Sequence, residues 1–180
     1  MQLQERIDFL SSLLDRVDGW LRYAEAKNGA LLTLTAGIMA LFLRKGVNDG
    51  ECHILCILWG IGIVLIIITI GILVSSFVPR MAPIQNWVSR QTQKKSREKG
   101  DSCNIIYFAD IASCSKEQLR KKLSEILLSS GQEFTRIEID LLDQIHVNAG
   151  IATRKFFTFS PAVSFFAVGS LFALLGIIAG

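Results

Sequence analysis

The sequence has few of the residues from which metal and catalytic sites are built. It contains only two histidines, His53 and His146, and its four cysteines form no C-x-x-C pair. Cys52 and Cys56 flank His53, but a metal site needs more ligands, so ordinary membrane-edge residues are the favoured interpretation. The motifs G-x-x-x-x-G-K-[ST], H-E-x-x-H and G-x-S-x-G are all absent. We therefore expect no catalytic residues, no metal and no enzymatic activity.

Charge is missing from three long stretches of the chain. Residues 54–78 and 156–180 contain no Asp, Glu, Lys or Arg, and helices of such length cross a hydrocarbon core of about 30 Å. The uncharged stretch 28–43 is shorter, but Trp20 as an interfacial anchor and a snorkelling Lys27 extend it. We predict three transmembrane helices. In the first, close helix approach is expected at the small residues Gly29, Ala30, Thr33, Ala36, Gly37 and Ala40.

Positive charge is concentrated between the second and third stretches. Residues 80–101 hold six basic residues against Glu98 and Asp101. The positive-inside rule then places this segment and the N-terminus in the cytoplasm and a short loop, 44–53, outside. A basic run beside a span is more typical of topology and of contact with the lipid bilayer than of nucleic acid, so we expect no nucleic-acid partner. Cys103 and Cys114 would then be free thiols in a reducing compartment.

Helical periodicity marks the remaining segments. Residues 3–24 carry a narrow apolar seam on a charged helix, which indicates packing against the rest of its own domain or, alternatively, a self-associating coiled coil. Ser115 is expected to cap a helix over 116–129, and a further helix over 132–155 is the expected partner of the seam. The apolar, aromatic run 104–111 reads as a short strand or a buried loop.

These segments give one architecture. We predict an all-α membrane protein in which three transmembrane helices accompany an N-terminal amphipathic helix and a small cytoplasmic helical module. The boundaries are 1–27 for the amphipathic helix, 28–43, 54–78 and 156–180 for the three spans, 44–53 for the external loop and 79–155 for the cytoplasmic module.

A ligand-binding site is more plausible than a catalytic one. The predicted cytoplasmic part offers aromatic side chains at Tyr23 and Tyr107, an acid at Asp110, and basic groups at Lys27 and Arg80. Together these are groups that would stack a base and neutralise one phosphate. Each alone is also explained as structural, and Tyr107 in particular reads as a core residue.

Several short motifs then occur in a recognisable order. Trp20 is followed by Y-A-E-A-K-N at 23–28, and the second span closes with V-P-R at 78–80. Further on come Y-F-A-D-I at 107–111, D-L-L-D-Q-I-H-V-N-A at 140–149, and Lys155-Phe156 before the last span. This arrangement resembles the transmembrane effectors of the Pycsar anti-phage systems over nearly the whole chain. It departs from the family pattern at Glu25, where an Asp is usual, and near Asn28, where Ala or Ser is usual.

The resemblance implies a function. It implies a multi-pass protein of the bacterial inner membrane that is gated by a cyclic pyrimidine mononucleotide, cyclic UMP or cyclic CMP, made during infection. Binding of this second messenger would rearrange or oligomerise the spans, so that a homo-oligomer impairs membrane integrity and infection becomes abortive. Two alternatives stay open: an adaptor membrane protein that oligomerises through its cytoplasmic helices without conducting, and a small enzyme acting on lipid head groups.

Overall fold

The chain is helical in the computed structural model, which describes residues 2–45, 53–78, 104–129 and 131–178. Its helices are α1 (Leu3–Lys45), α2 (His53–Phe77), α3 (Phe108–Ser113), α4 (Lys116–Leu127) and α5 (Arg136–Ile178), and no strand occurs among these residues. Helices α1, α2 and α5 are each long and apolar enough to cross a membrane. The predicted fold class, an all-α membrane protein with three spans, is confirmed.

Two of the helices are much longer than a bilayer requires. Helices α1 and α5 have 43 residues each, which is roughly 65 Å at 1.5 Å per residue, against a hydrocarbon core of about 30 Å. Stretches 28–43 and 156–178 are thus the apolar parts of helices that begin in charged sequence. Pro161 lies inside α5 without ending it. Most of the predicted loop 44–53 and the basic segment 80–101 lie outside the described residues.

The chain divides into two compact units. Met1–Ala24 and Arg80–Arg154 form the first, here called the polar unit, and Glu25–Pro79 and Lys155–Gly180 form the second, here called the membrane unit. Helices α1 and α5 each contribute residues to both units.

The polar unit is built on the apolar seam of α1. Leu10 and Val17 from that seam are buried, and Asn148 Nδ2 on α5 donates to Asp18 Oδ1 on α1 at 2.7 Å. The predicted pairing of these two helices is therefore present. Helices α4 and α5 contribute the remaining buried apolar residues of this core, chiefly Leu119, Leu123, Leu127, Leu142, Ile145 and Ala149.

A buried ion pair joins the same two helices. Arg6 Nε lies 2.7 Å from Glu138 Oε1, and their side chains are 6% and 0% exposed. Burial raises the pKa of the Glu138 carboxyl, but hydrogen bonds from the backbone and hydroxyl of Thr135 and from Arg6 outweigh it, so the pKa lies below its usual value. Loss of one partner would leave a buried unpaired charge, at a cost of about 3–5 kcal/mol.

The predictions made for the cap, the aromatic run and the cysteine of the polar unit have different outcomes. The predicted cap is confirmed, because Ser115 and Gln118 form a capping box at the start of α4. The predicted strand or buried loop at 104–111 is wrong in part. Phe108, Ile111 and Ala112 are buried at helical spacing, which places them in the short helix α3. Cys114 is disulfide-bonded, so the prediction of a free thiol at this position is wrong, whereas Cys103 lies outside the described residues.

Close helix approach in the membrane unit depends on glycines of α2 and α5. A Cβ added at Gly62 would lie 2.5 Å from the backbone nitrogen of Ala173, and one at Gly176 would lie 2.8 Å from Trp59 Cβ. The small-residue face predicted on α1 does not serve this purpose, because a Cβ added at Gly37 would meet no atom within 4 Å. The close contact therefore lies between α2 and α5.

We expect Gly62→Ala to destabilise the membrane unit by about 1–3 kcal/mol, because the added methyl overlaps backbone atoms that cannot rotate away. Gly60→Ala is the matched control on the same helix, since its Cβ would meet nothing within 4 Å. Unfolding of the detergent-solubilised protein with SDS measures both. Equal stability of the two variants would contradict the close approach.

Candidate functional site

Two of the predicted site residues belong to a row of aromatic rings in the polar unit. The Trp20 ring on α1 lies 6.4 Å from the Tyr23 ring, edge to face, and 5.3 Å from the Phe108 ring, measured between centroids. The Tyr107 and Phe108 centroids are 4.9 Å apart. We call Tyr23, Trp20, Phe108 and Tyr107 the aromatic row.

Local structure explains how these rings meet. Trp20 and Tyr23 are three residues apart on α1 and therefore lie on the same side of that helix. Tyr107 is the N-cap residue of α3, with extended backbone, and Phe108 is the first residue of that helix. Phe108 is only 4% exposed, whereas Tyr23 and Tyr107 are 55% and 47% exposed. Phe108 is thus the buried ring of the row, Trp20 is 39% exposed, and the tyrosines at the two ends are accessible, contrary to the reading of Tyr107 as core.

Asp110 lies beside the aromatic row. It is in the first turn of α3, and its backbone N–H donates to the Tyr107 carbonyl at 3.1 Å. Its own carbonyl accepts from the Ser113 hydroxyl at 2.7 Å, so the short helix is closed by local bonds. The Asp110 side chain is partly exposed. A hydrogen-bond acceptor therefore lies within one helical turn of an exposed tyrosine.

The predicted site residues do not all belong to one compact unit. Tyr23, Tyr107 and Asp110 belong to the polar unit, whereas Lys27 belongs to the membrane unit. The ammonium group of Lys27 lies 3.7 Å from the ring centroid of Phe159, a distance typical of a cation–π contact. Arg80 lies outside the described residues.

Other charged groups of the polar unit are engaged in structure. Asp143 on α5 accepts from Lys116 at 3.1 Å and from Arg120 at 2.7 Å, both on α4. Burial raises the pKa of Asp143, but the hydrogen bonds and charges of Arg120 and Lys116 hold it below its usual value. No group of three or more His, Cys, Asp or Glu side chains suited to a metal occurs within the part of the chain that the structure describes.

Sequence reasoning missed a polar cluster in the membrane unit. Asn28 on α1 donates through Nδ2 to Ser76 Oγ on α2 at 2.9 Å and to the Lys155 carbonyl on α5 at 3.3 Å. Lys155 Nζ also pairs with Glu25 at 2.8 Å. One signal was available, because three antiparallel spans place the start of the first, the end of the second and the start of the third on one side of the membrane.

Comparison with known proteins identifies the family. Neither a curated protein nor a solved structure matches this chain. The Pycsar effector protein domain matches residues 9–180, which include α2 to α5 and nearly all of α1. This match, with three helices able to cross a membrane, shows that the chain belongs to the Pycsar effector family and is a membrane effector of anti-phage defence.

Proposed function

We propose that the protein is activated by a cyclic pyrimidine mononucleotide, cyclic UMP or cyclic CMP, and that the activated form impairs the inner membrane and makes infection abortive. The family match carries the defence role. The observation that carries nucleotide binding is the aromatic row, with Tyr23 and Tyr107 accessible at its ends and Asp110 nearby. The proposal assigns the protein no catalytic activity and no cofactor besides this activating ligand.

The aromatic row suits a base. Exposed aromatic faces stack on nucleobases with a gain of about 1–3 kcal/mol for each base. A carboxylate at Asp110 would accept a hydrogen bond from the N3–H of uracil or the exocyclic amine of cytosine. Lys27 and Arg80 stay the proposed groups that neutralise the phosphate. Among the described residues, Tyr23, Tyr107 and Asp110 are the proposed ligand residues that belong to the polar unit.

A conformational change caused by ligand binding in the polar unit can reach the membrane unit through helices that belong to both. Helices α1 and α5 supply residues to both units. A nucleotide that binds one packing of the polar unit more tightly than another would therefore shift the population of conformations of the same helices. The differential affinity sets the limit of this shift.

The adaptor alternative loses its main support. It requires the seam of α1 to hold a partner, but Leu10 and Val17 are 0% and 1% exposed inside the polar unit of the same chain. The membrane part of α1 is the surface that we propose for self-association. Five of its exposed residues at helical spacing are small, namely Ala26, Ala30, Thr33, Gly37 and Ala40, and such residues allow close packing in lipid. Leu34 and Leu41 are also exposed and flank this row of small residues.

The proposed location is the inner membrane with the N-terminus in the cytoplasm. Six basic residues within 80–101 support this orientation. The disulfide at Cys114 favours the opposite side, because disulfides are rare in reducing compartments.

Binding is tested by isothermal titration of the detergent-solubilised protein with cyclic UMP, cyclic CMP and cyclic AMP. We expect one pyrimidine nucleotide to bind with micromolar or tighter affinity and the purine not to bind. Tyr107→Ala should weaken binding about 10- to 100-fold through lost stacking, while Tyr107→Phe keeps the ring and the affinity. An unchanged affinity in Tyr107→Ala would remove this residue from the site, and silence with all nucleotides would overturn the proposed ligand.

Self-association is tested by Gly37→Ile. The added side chain meets no atom within 4 Å of its Cβ position in this chain, so we expect folding to be kept and cross-linking between copies in membranes to fall severalfold. Gly71→Ile, on α2 and equally unobstructed, is the matched control. If cross-linking stays at the wild-type level in both variants, the proposed face is contradicted.

Orientation is tested with reporter fusions in cells. We expect a fluorescent protein at the N-terminus to fluoresce and alkaline phosphatase fused after Gly180 to be active, since the first reporter works in the cytoplasm and the second outside it. If alkaline phosphatase after Gly180 is inactive and a fluorescent protein at that same position fluoresces, the protein has the opposite orientation. That result would agree with the Cys114 disulfide.

A further inference from the structure

Asn28 is unusual among the buried residues of the membrane unit. It is 1% exposed, and its side chain bonds to two other helices, through Ser76 on α2 and the Lys155 carbonyl on α5. The amide orientation is fixed by chemistry, because a carbonyl oxygen can only accept, so Nδ2 has to face Lys155. The buried hydroxyls of Thr35 and Thr69 bond instead to carbonyls of their own helices.

The oxygen of the Asn28 side-chain amide, unlike its nitrogen, lacks a hydrogen-bond partner among the described residues. This atom, Oδ1, is buried. A buried unpaired carbonyl costs as much free energy as, or more than, two hydrogen bonds between helices gain in a membrane protein. The hydrogen bonds of Asn28 therefore fix how the three helices are oriented but do not maximise the stability of their packing. An apolar side chain of the same shape at this position would make the membrane unit more stable.

Neighbouring contacts hold the acceptor in place. Lys155, whose carbonyl accepts from Asn28, pairs through Nζ with Glu25 at 2.8 Å, and the same Nζ lies 5.5 Å from the ring centroid of Phe77. Phe77 follows Ser76 on α2. The three helices are thus joined at one end of the membrane unit by a small set of polar contacts, whereas apolar clusters fill the rest.

We propose that Asn28, Ser76 and the Lys155 carbonyl form a weak latch, in which the hydrogen bonds fix the direction of the resting packing of the three membrane helices and the unpaired Oδ1 keeps that packing easy to release. Release exposes Oδ1 to water, which removes the penalty of the unpaired carbonyl and so lowers the cost of opening. This inference rests on the proposed function, in which the opened form impairs the membrane. Asn28 accordingly sets how readily the effector opens.

The test uses full-length protein reconstituted in phosphatidylethanolamine–phosphatidylglycerol vesicles that contain a self-quenched dye. Ser76→Ala removes an acceptor, so we expect dye release without nucleotide to rise roughly threefold or more. Asn28→Leu removes the unpaired oxygen, so we expect lower basal release and roughly fivefold more cyclic UMP or cyclic CMP for half-maximal release. Ser75→Ala is the matched control, because that hydroxyl bonds to the Ile72 carbonyl of its own helix.

Thermal unfolding of the same proteins separates the latch from the proposed function. The Tm should fall for Ser76→Ala, rise for Asn28→Leu and stay at the wild-type value for Ser75→Ala. A lower Tm together with higher basal release in Asn28→Leu would overturn the latch, as would a Ser76→Ala protein identical to wild type in both measurements. Wild-type vesicles that stay sealed with both nucleotides would instead contradict the proposed function, while the Tm values would still decide the latch.

Discussion

A segment that crosses lipid has to satisfy its own backbone hydrogen bonds, and this requirement shapes the rest of the protein. It makes the uncharged stretches helical despite their β-branched residues, and in α1 and α5 the helix continues unbroken from charged sequence into apolar sequence. Each of these helices therefore serves two environments. In the polar unit α1 is held by buried apolar residues and by the Arg6–Glu138 pair. In the membrane unit Leu31 and Phe42 of α1 pack in apolar clusters with α2 and α5, and Asn28 donates a hydrogen bond to each of those helices.

The two units are stabilised by different interactions. In water, burial of the α1 seam supplies the driving force. In lipid, helix association depends on close packing and on hydrogen bonds, since the surrounding chains are as apolar as the helices. Gly62, Gly169 and Gly176 supply the close packing between α2 and α5. Asn28 joins all three helices but leaves one oxygen without a hydrogen-bond partner among the described residues. For this reason we propose this end of the membrane unit as the place where the resting packing opens.

Much of the fold follows from the sequence because its signals are local or periodic. The spans follow from missing charge, the cap of α4 from Ser115 and Gln118, and the pairing of α1 with α5 from the spacing of apolar residues. Helix α3 was missed because its three buried residues reveal a helical period only when their partners are known. The close contact within the chain lies between α2 and α5 and not at the small-residue face of α1, because Gly37 and Gly62 look alike in sequence and only packing separates them. The candidate site was found in part: Tyr23 and Tyr107 are linked through Trp20 and Phe108, a relation that depends on the fold.

The central claim is that binding of a cyclic pyrimidine nucleotide converts this membrane protein from a resting form into a form that makes the membrane permeable. Dye release from vesicles containing the wild-type protein, measured on addition of cyclic UMP, cyclic CMP or cyclic AMP, tests it most directly. We expect rapid, saturable release with one pyrimidine nucleotide and none with cyclic AMP or with protein-free vesicles. Release that is the same with and without nucleotide, or that cyclic AMP triggers equally well, would contradict the account.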